Sequence, residues 1–219
     1  MTTATDHAST SLSFAEQAYR ALRDRLIMLD IAPGEPLQEL QLASELGFGR
    51  TPLREALKRL ETDHLVVSYS RRGTFATRVD ITELAAVSEV RRLLEPLAAR
   101  KAAATTDPDI RAALAEAREG IERISGTTPW RQVMAQDLAV HRLIYRAAGN
   151  HHLEESLIRL DNLATRIWCV VVDRLPDVAG HIREHLDLLD AILGGDADRA
   201  EELTSAHIRH FDAAIRQVI

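Results

Sequence analysis

The stretch LGFGRTPLREALKRLETDHL, residues 46–65, reads as a turn followed by a short basic helix. Thr51 is a candidate N-cap with Glu55 close enough to complete a capping box, and Pro52 suits a first helical turn. We therefore expect a helix that starts at about Thr51. Its apolar residues recur at helical spacing and share one face, and they are Leu53, Ala56, Leu57 and Leu60.

The other side of this helix is basic, with Arg50, Arg54, Lys58 and Arg59. Such a helix can pack one side against a core and meet phosphates or base edges with the other. An amphipathic surface helix with a solvated basic face shows the same pattern. The segments on either side of the helix favour the first interpretation.

A β-hairpin with a basic tip is predicted directly after the helix. Residues 65–69 and 74–79 are β-prone, and the turn-like residues 70–73 read Ser-Arg-Arg-Gly. Upstream, residues 14–30 and 38–46 show helical periodicity. Helix, helix, basic helix and hairpin is the order of a winged helix-turn-helix, which reads the DNA major groove.

The run GFGRTPLREALKRL, preceded by LQELQLASEL and followed by RRGTF, resembles the DNA-binding module of GntR-type bacterial transcription regulators. The sequence departs from the family pattern at Gly49, where Ser or Thr is usual, and at Leu40, where several relatives carry an arginine. The resemblance implies that one group of residues meets the DNA. They are Arg50, Thr51, Arg54 and the wing-tip pair Arg72 and Gly73.

The chain of 219 residues has a net charge of −6, but its basic residues are concentrated where a DNA-binding protein requires them. Residues 50–78 hold seven basic and three acidic residues, a local charge of +4, whereas residues 80–219 hold seventeen basic and twenty-three acidic residues. Phosphate attraction depends on the contacting face and not on the total charge. The sequence therefore predicts a local basic surface on an acidic body.

Cysteine usage and hydropathy indicate a cytoplasmic protein that does not enter the membrane. Cys169 is the single cysteine, so it has no partner for an internal disulfide, and we expect it to be a buried small side chain. No apolar run reaches the roughly 18 residues that span a bilayer. Residues 1–13 are polar, without a signal-peptide core, and we expect a disordered tail there.

The composition is 46% hydrophobic and only 4% aromatic, and the pattern after the hairpin is helical. We predict an antiparallel helical bundle whose helices are separated by short Gly, Asn or Pro connections. Its segments are 80–104, 108–124, 130–148, 152–175, 177–193 and 197–218. The predicted fold class is thus mainly α, with a winged helix-turn-helix domain at residues 14–79 and an all-helical effector-binding and dimerisation domain at residues 80–219.

Four polar residues lie on apolar helix stripes in this second domain: Asp137, His141, His185 and His207. Asp137 and His141 are one turn apart on the same face, and the two other histidines come from two further helices. A carboxylate and three imidazoles suit Zn²⁺, and also Ni²⁺, Mn²⁺ or Fe²⁺, and a cation would offset the cost of burying them.

Taken singly, each of these histidines has a second interpretation as a hydrogen-bonded core residue. His181, four residues before His185, is either a ligand or a residue behind the ligands, and its edge position favours solvent or the outer role. His151, His152 and His210 are predicted to be surface or connector residues.

Three segments of this half resemble the all-helical effector domain of the FadR-like branch: the run from Asp80 to Arg100, DLAVHRLI with AAGN, and EHLDLLDAILGGD followed by His207. In metal-containing members of that branch, the residues that match Asp137, His141, His185 and His207 bind the ion, and small organic acids bind beside it. The resemblance also implies that Arg91 is a carboxylate clamp, although a surface ion pair is the alternative.

These observations predict a homodimeric regulator, a repressor, that reads a palindromic double-stranded DNA operator and is controlled by a small organic acid at a divalent cation. Two alternatives remain open on the residues alone. The bundle can be free of metal and bind an apolar ligand, or the Asp/His centre can be that of a metalloenzyme that activates water. The second alternative lacks an evident general base and leaves the basic winged module without a purpose.

Overall fold

The computed structural model describes residues 12–219 and is mainly helical. The predicted tail, residues 1–13, lies outside the described residues except for Leu12 and Ser13. The described residues divide into two compact units, one holding residues 12–26 together with Asp30–Arg78, the other holding Ile27–Leu29 and Val79–Ile219. The predicted fold class, a winged helix-turn-helix followed by a helical bundle, is confirmed.

The first unit has three helices and a three-stranded antiparallel sheet in the order β1-β3-β2. The predicted hairpin is present, with Val66 paired to Ala76 and Tyr69 paired to Gly73. The strand β1 was not predicted, since it has two residues and one of them is Pro36. The elements are α1 (Phe14–Ile27), β1 (Pro36–Leu37), α2 (Glu39–Leu46), α3 (Arg50–Thr62), β2 (Val66–Tyr69) and β3 (Gly73–Ala76).

The predicted cap of α3 is wrong. The helix starts at Arg50, and Gly49 is its N-cap, with extended backbone angles (φ −70°, ψ 166°) and no capping side chain. Because the Gly49 carbonyl already accepts the first helical hydrogen bond from the Leu53 N–H, Thr51 lies inside the helix and cannot cap it. The predicted apolar face is confirmed, since Leu53, Ala56, Leu57 and Leu60 are all buried.

The second unit is built of seven α-helices with single 3₁₀ turns at Ile81–Glu83 and Val172–Arg174. Capping side chains mark where several helices begin, because Asp107, Asn150, Asp177 and Asp196 each accept a hydrogen bond from a backbone N–H two or three residues ahead. The helices are α4 (Leu84–Ala102), α5 (Pro108–Glu122), α6 (Trp130–Ala147), α7 (His151–Val171), α8 (Val178–Arg183), α9 (His185–Gly194) and α10 (Ala197–Arg216).

The segment 177–193, predicted as one helix, is two helices that are separated at Glu184. There the backbone tightens, and the Glu184 N–H donates to the carbonyl of His181, three residues back, at 3.3 Å. As a result, His185 is the first residue of α9.

Helix α4 lies at the centre of this unit, where it packs against α6, α7 and α10. Val90 and Leu97 of this helix are exposed, whereas Arg91 and Glu95 are buried. The three neighbouring helices cover the face that carries the Arg91 and Glu95 side chains. Among residues 12–219, no helix has both the length and the apolar character needed to cross a membrane.

Candidate metal centre and nucleic-acid interface

The exposed side of α3 carries the side chains that were predicted to meet DNA. Arg50, Thr51 and Arg54 are exposed on this side, opposite the buried apolar face. Arg54 Nε donates to Glu39 Oε2 at 2.8 Å, and the arginine side chain is 57% exposed. Surface ion pairs of this kind contribute little to stability, so the guanidinium can exchange this partner for another anion.

The tip of the wing joins β2 to β3 and includes Arg71 and Arg72, both exposed. Gly73 follows with a φ of +91°, which a residue with a side chain adopts only at a cost. The tight turn therefore depends on this glycine and presents Arg72 to solvent.

Arg59, predicted to belong to the basic face, has a different role. Its Nη1 atom donates to Glu16 at 2.6 Å, and its guanidinium lies 3.9 Å from the centre of the Tyr19 ring. Both partners belong to α1, so Arg59 fastens α3 to α1 instead of remaining available to a ligand.

In the second unit, the structure brings together all four predicted ligands. Asp137 and His141 project from α6, His185 from the first turn of α9, and His207 from α10. All four are buried, and each offers a donor atom that lies within 4.8 Å of the other three. Three separate helices therefore supply one compact set of donors.

The separations of these donor atoms match those of ligands to one ion. His141 Nε2 and His185 Nε2 lie 3.2 Å apart. Two nitrogens bound to the same ion at about 2.0–2.1 Å are separated by about 2.9–3.4 Å, depending on the coordination angle. Asp137 Oδ1 lies 3.8 Å from His141 Nε2, so the carboxylate borders the same space.

The Nδ1 atoms of two of these imidazoles have partners on the outer side of the cluster. His185 Nδ1–H donates to the Ile182 carbonyl at 3.0 Å. His141 Nδ1 lies 3.1 Å from the Tyr145 hydroxyl, whose oxygen can accept a hydrogen bond. With Nδ1 engaged in this way, the Nε2 lone pairs are left for a cation.

Burial controls the protonation of the cluster. It lowers the pKa of His185 to about 4 and holds the pKa of His141 and of His207 well below the ordinary value, with neighbouring imidazoles and Arg91 adding to the effect. The imidazoles are therefore neutral at pH 7, which is the form that binds a metal ion. Burial, reinforced by the negative charge of Asp161, raises the pKa of Asp137 well above its usual range.

The Asp137 carboxylate gives the clearest indication that the cluster suits a cation. Its Oδ1 atom is buried and has no hydrogen-bond partner among the described residues. A buried carboxylate oxygen without a partner is costly, and a divalent cation held by three neutral imidazoles would compensate for it. The donor set fits Zn²⁺ and other borderline divalent ions.

Arg91, the predicted carboxylate clamp, is buried in the wall of the same cavity and is not part of a surface ion pair. Its Nε donates to Glu95 Oε1 at 2.5 Å, and its Nη2 lies 4.0 Å from Asp161 Oδ1. The Nη1 atom is buried and makes no hydrogen bond within residues 12–219. One donor of the guanidinium is thus left for a ligand.

The cavity itself is small and is lined by both donors and acceptors. It contains about 290 Å³ of empty space, counting the part that opens to solvent. Trp168 belongs to its wall, and the buried indole N–H has no acceptor in the described part of the chain. A ligand that carries oxygen acceptors would satisfy the indole N–H and Arg91 together.

His181 also borders the cavity, and its side chain is only 9% exposed, so the expected solvent position is wrong. Its ring stacks on His207 with centroids 4.1 Å apart and planes 18° from parallel, and on Trp168 at 4.7 Å. His151, His152 and His210 are exposed, as predicted, and Cys169 is buried.

The sequence analysis did not identify the residues that lie behind the candidate ligands. Glu95 and Tyr145 lie beside His141, with Glu95 Oε2 3.7 Å from its Nδ1, and Glu184 lies beside His207. Glu95 is four residues after Arg91, and Tyr145 is four residues after His141, so helical spacing from the predicted residues was the signal that could have identified them.

Two known families match this chain. Residues 14–76 match the bacterial regulatory proteins of the gntR family, and residues 86–210 match the FCD domain. The chain belongs to the GntR family of regulators. Its helical half is an FCD domain, in agreement with the FadR-like branch, so this GntR protein is a DNA-binding transcription regulator and not an enzyme.

Individual relatives match over almost the whole regulator. The HTH-type transcriptional repressor RspR of Escherichia coli (strain K12) is 25% identical over 207 residues, which cover 93% of this chain and 89% of RspR. The Nta operon transcriptional regulator of Aminobacter aminovorans is 31% identical over 186 residues, covering 82% and 84%. The solved structure of E. coli McbR/YncC has a TM-score of 0.81 at 22% identity, covering 94% of this chain and 99% of that one, which shows a shared fold.

Proposed function

We propose that this GntR regulator is a repressor whose operator binding is controlled by a small carboxylate metabolite, bound beside a divalent cation in the FCD domain. In this proposal residues 14–79 bind DNA, and residues 80–219 bind the effector and form the dimer. The observation that carries the proposal is the buried Asp137 Oδ1, which lacks a hydrogen-bond partner among the described residues and borders three neutral imidazoles.

The cation would be held by Asp137, His141, His185 and His207, with Zn²⁺ as the first candidate and Ni²⁺, Mn²⁺ or Fe²⁺ as others. When bound, a divalent cation supplies a Lewis acid that attracts carboxylate oxygens. The protein's own contribution is to keep the imidazoles neutral by burial and to bring the Nε2 atoms of His141 and His185 to within 3.2 Å of each other.

The effector would lie against the donors that the protein leaves unsatisfied. Within the described chain, Arg91 Nη1 and Trp168 Nε1 are buried donors without acceptors, and both residues line the cavity next to Asp137. Leaving such donors unpaired costs free energy, so a ligand with carboxylate oxygens is favoured over an apolar one.

Operator recognition would come from α3 in the major groove and from the wing. Arg50, Thr51 and Arg54 are exposed on α3, and Arg72 with Gly73 forms the exposed wing tip. Arginine side chains can bind guanine bidentately, whereas hydroxyl and backbone groups bind phosphate. The α3 arginines are therefore the candidates for sequence reading, and the wing is a candidate for backbone contacts.

Two copies of the chain would read the two halves of a palindromic operator. A candidate pairing face lies on α4, where Val90, Leu93 and Leu97 follow one another at helical spacing and are 40%, 71% and 46% exposed. Contiguous exposed apolar side chains of this kind mark interaction surfaces. A second copy, using the same face around a two-fold axis, would cover them.

Control of the operator requires that the effector bind more tightly to one arrangement of the dimer than to another. We infer that the acid favours the arrangement that does not bind DNA, as for a metabolite that induces its own pathway. The similar E. coli protein RspR is a transcriptional repressor, which supports this direction.

The experiment that tests the proposal has two measurements. The metal content of purified protein should be close to one divalent ion per chain, and small organic acids should raise the melting temperature only without chelator, because a ligand of the native state stabilises it. A fluorescein-labelled fragment of the gene's own promoter should lose binding when the stabilising acid is added. Protein that takes up no divalent ion, or acids that act equally with chelator, would exclude the metal-dependent sensor.

A further inference from the structure

Glu184 is the residue at which α8 ends and α9 begins, directly before the candidate ligand His185. Its carboxylate contacts two imidazoles of α10. Glu184 Oε2 lies 2.9 Å from His207 Nδ1, and Oε1 lies 2.8 Å from His210 Nδ1. One side chain at the junction of two helices thus binds two histidines of a third.

This contact determines which nitrogen of His207 faces the cluster. A carboxylate accepts hydrogen bonds and donates none, so His207 Nδ1 carries the proton and its Nε2 carries the lone pair. His141 and His185 have uncharged oxygens near Nδ1, from Tyr145 and from the Ile182 carbonyl. Among the three candidate ligand histidines in the described chain, only His207 has a carboxylate at hydrogen-bonding distance from Nδ1.

The ring of His207 is also held from one face by His181. The two rings are stacked, with planes 18° apart and centroids 4.1 Å apart. His181 therefore restricts the orientation of His207, and Glu184 supplies the polar contact.

We propose that Glu184 is a positioning residue of the cation site: it fixes the tautomer and orientation of His207 and thereby raises the affinity for the ion. The inference rests on the proposed function for the presence of a cation at the four ligands. His210, whose side chain is 61% exposed, orients the second oxygen of the carboxylate. Carboxylates behind a metal-bound histidine commonly change metal affinity by about 10–100-fold.

Zinc affinity of the full chain is the first test, measured by competition with a fluorescent chelator. Glu184→Ala should weaken Zn²⁺ binding by about 10–100-fold. Glu184→Gln should lose less, because the amide oxygen still accepts from Nδ1–H although its charge is gone. His210→Ala, a matched control that keeps Glu184, should lose least.

A readout that general destabilisation would not change is the tautomer of His207, observed in long-range ¹H–¹⁵N spectra of the metal-free protein. The wild type and Glu184→Gln should show the proton on Nδ1, and Glu184→Ala should show a mixture or the other tautomer. Melting of each variant in chelator reports whether the fold itself has changed.

The outcomes separate the two proposals. A wild type that binds no Zn²⁺ removes the proposed metal sensor. A wild type that binds Zn²⁺, together with Glu184→Ala binding it equally well or keeping the Nδ1 proton on His207, overturns the role of Glu184 alone.

Discussion

His141 Nε2 and His185 Nε2 lie 3.2 Å apart, and the Nδ1 atoms of the same rings lie within 3.1 Å of other oxygens. The two imidazoles come from α6 and α9, forty-four residues apart in sequence. With Nδ1 of each ring engaged, both Nε2 atoms carry lone pairs, and two such lone pairs 3.2 Å apart form half of a cation site. The predictions below begin with this pair.

Replacing His141 with Ala should abolish stoichiometric binding of Zn²⁺, because it removes one of the three imidazole nitrogens. The buried Asp137 oxygen is then left without the cation that would compensate for its burial. Metal content after dialysis, measured by mass spectrometry, checks this. His152→Ala, an exposed histidine on α7, is the matched control and should retain the metal. Retention of the full metal content by His141→Ala would argue against this ligand set.

Arg54→Ala should weaken specific operator binding by about 1–3 kcal/mol if the guanidinium reads a base. The loss should be much smaller on unrelated DNA, and fluorescence anisotropy at fixed salt measures both. Arg123, a 70% exposed arginine outside the winged unit, provides the control substitution. Equal losses on operator and unrelated DNA would assign Arg54 to phosphate contact instead.

Arg91→Ala should destabilise the protein by about 3–5 kcal/mol, because it leaves the buried Glu95 carboxylate without its ion-pair partner. Urea denaturation measures the change in the free energy of unfolding. Arg100→Ala on the same helix breaks exposed pairs with Asp198 and Glu201 and should cost much less. If both variants unfold alike, Arg91 is not the structural cation that its burial indicates.

In the metal-free protein, the free energy of unfolding should fall as pH decreases from about 6.5 to about 4. Burial holds the pKa of His185 at about 4 and that of His181 at about 3, below the ordinary 6.5, so the unfolded chain binds more protons across this range. For His185 alone the difference corresponds to about 3 kcal/mol. Asp137 has the opposite effect, because its raised pKa makes stability fall as pH rises above 3.8. It is one group against several buried histidines, so the histidines determine the direction of the change.

This pH dependence is measured by urea denaturation with chelator between pH 4.5 and 7.5. His181→Phe should flatten the dependence, since it removes one titrating ring and keeps an aromatic ring against Trp168. A stability that is constant or rises on acidification would show that the cluster is not protected from protons.

Leu93→Glu should convert the proposed dimer to a monomer, because it places a charge in the centre of the exposed apolar face of α4. Sedimentation velocity measures the change, and operator affinity should fall with it. Ile219→Glu changes another exposed apolar residue, 62% exposed, and should leave the dimer intact. A Leu93→Glu protein that remains dimeric would place the interface elsewhere.

Local patterns were sufficient to predict the winged helix-turn-helix and the four residues that the structure brings together in the second unit. The apolar face of α3 and the hairpin follow from residues close together in sequence, where periodicity reports directly which side is buried. Asp137 and His141 are one turn apart on α6, and His185 and His207 lie on apolar stripes, so each helix by itself marks them as inward-facing.

The remaining features depend on contacts between helices that are distant in the chain. Arg91 and Glu95 are buried, and Val90 and Leu97 exposed, because α6, α7 and α10 cover one side of α4. Glu184 reaches His207 only because α10 returns past the break between α8 and α9. Helical periodicity contains no information about which other helix lies opposite a given face, so the partners behind the ligands became visible only once the helices were packed.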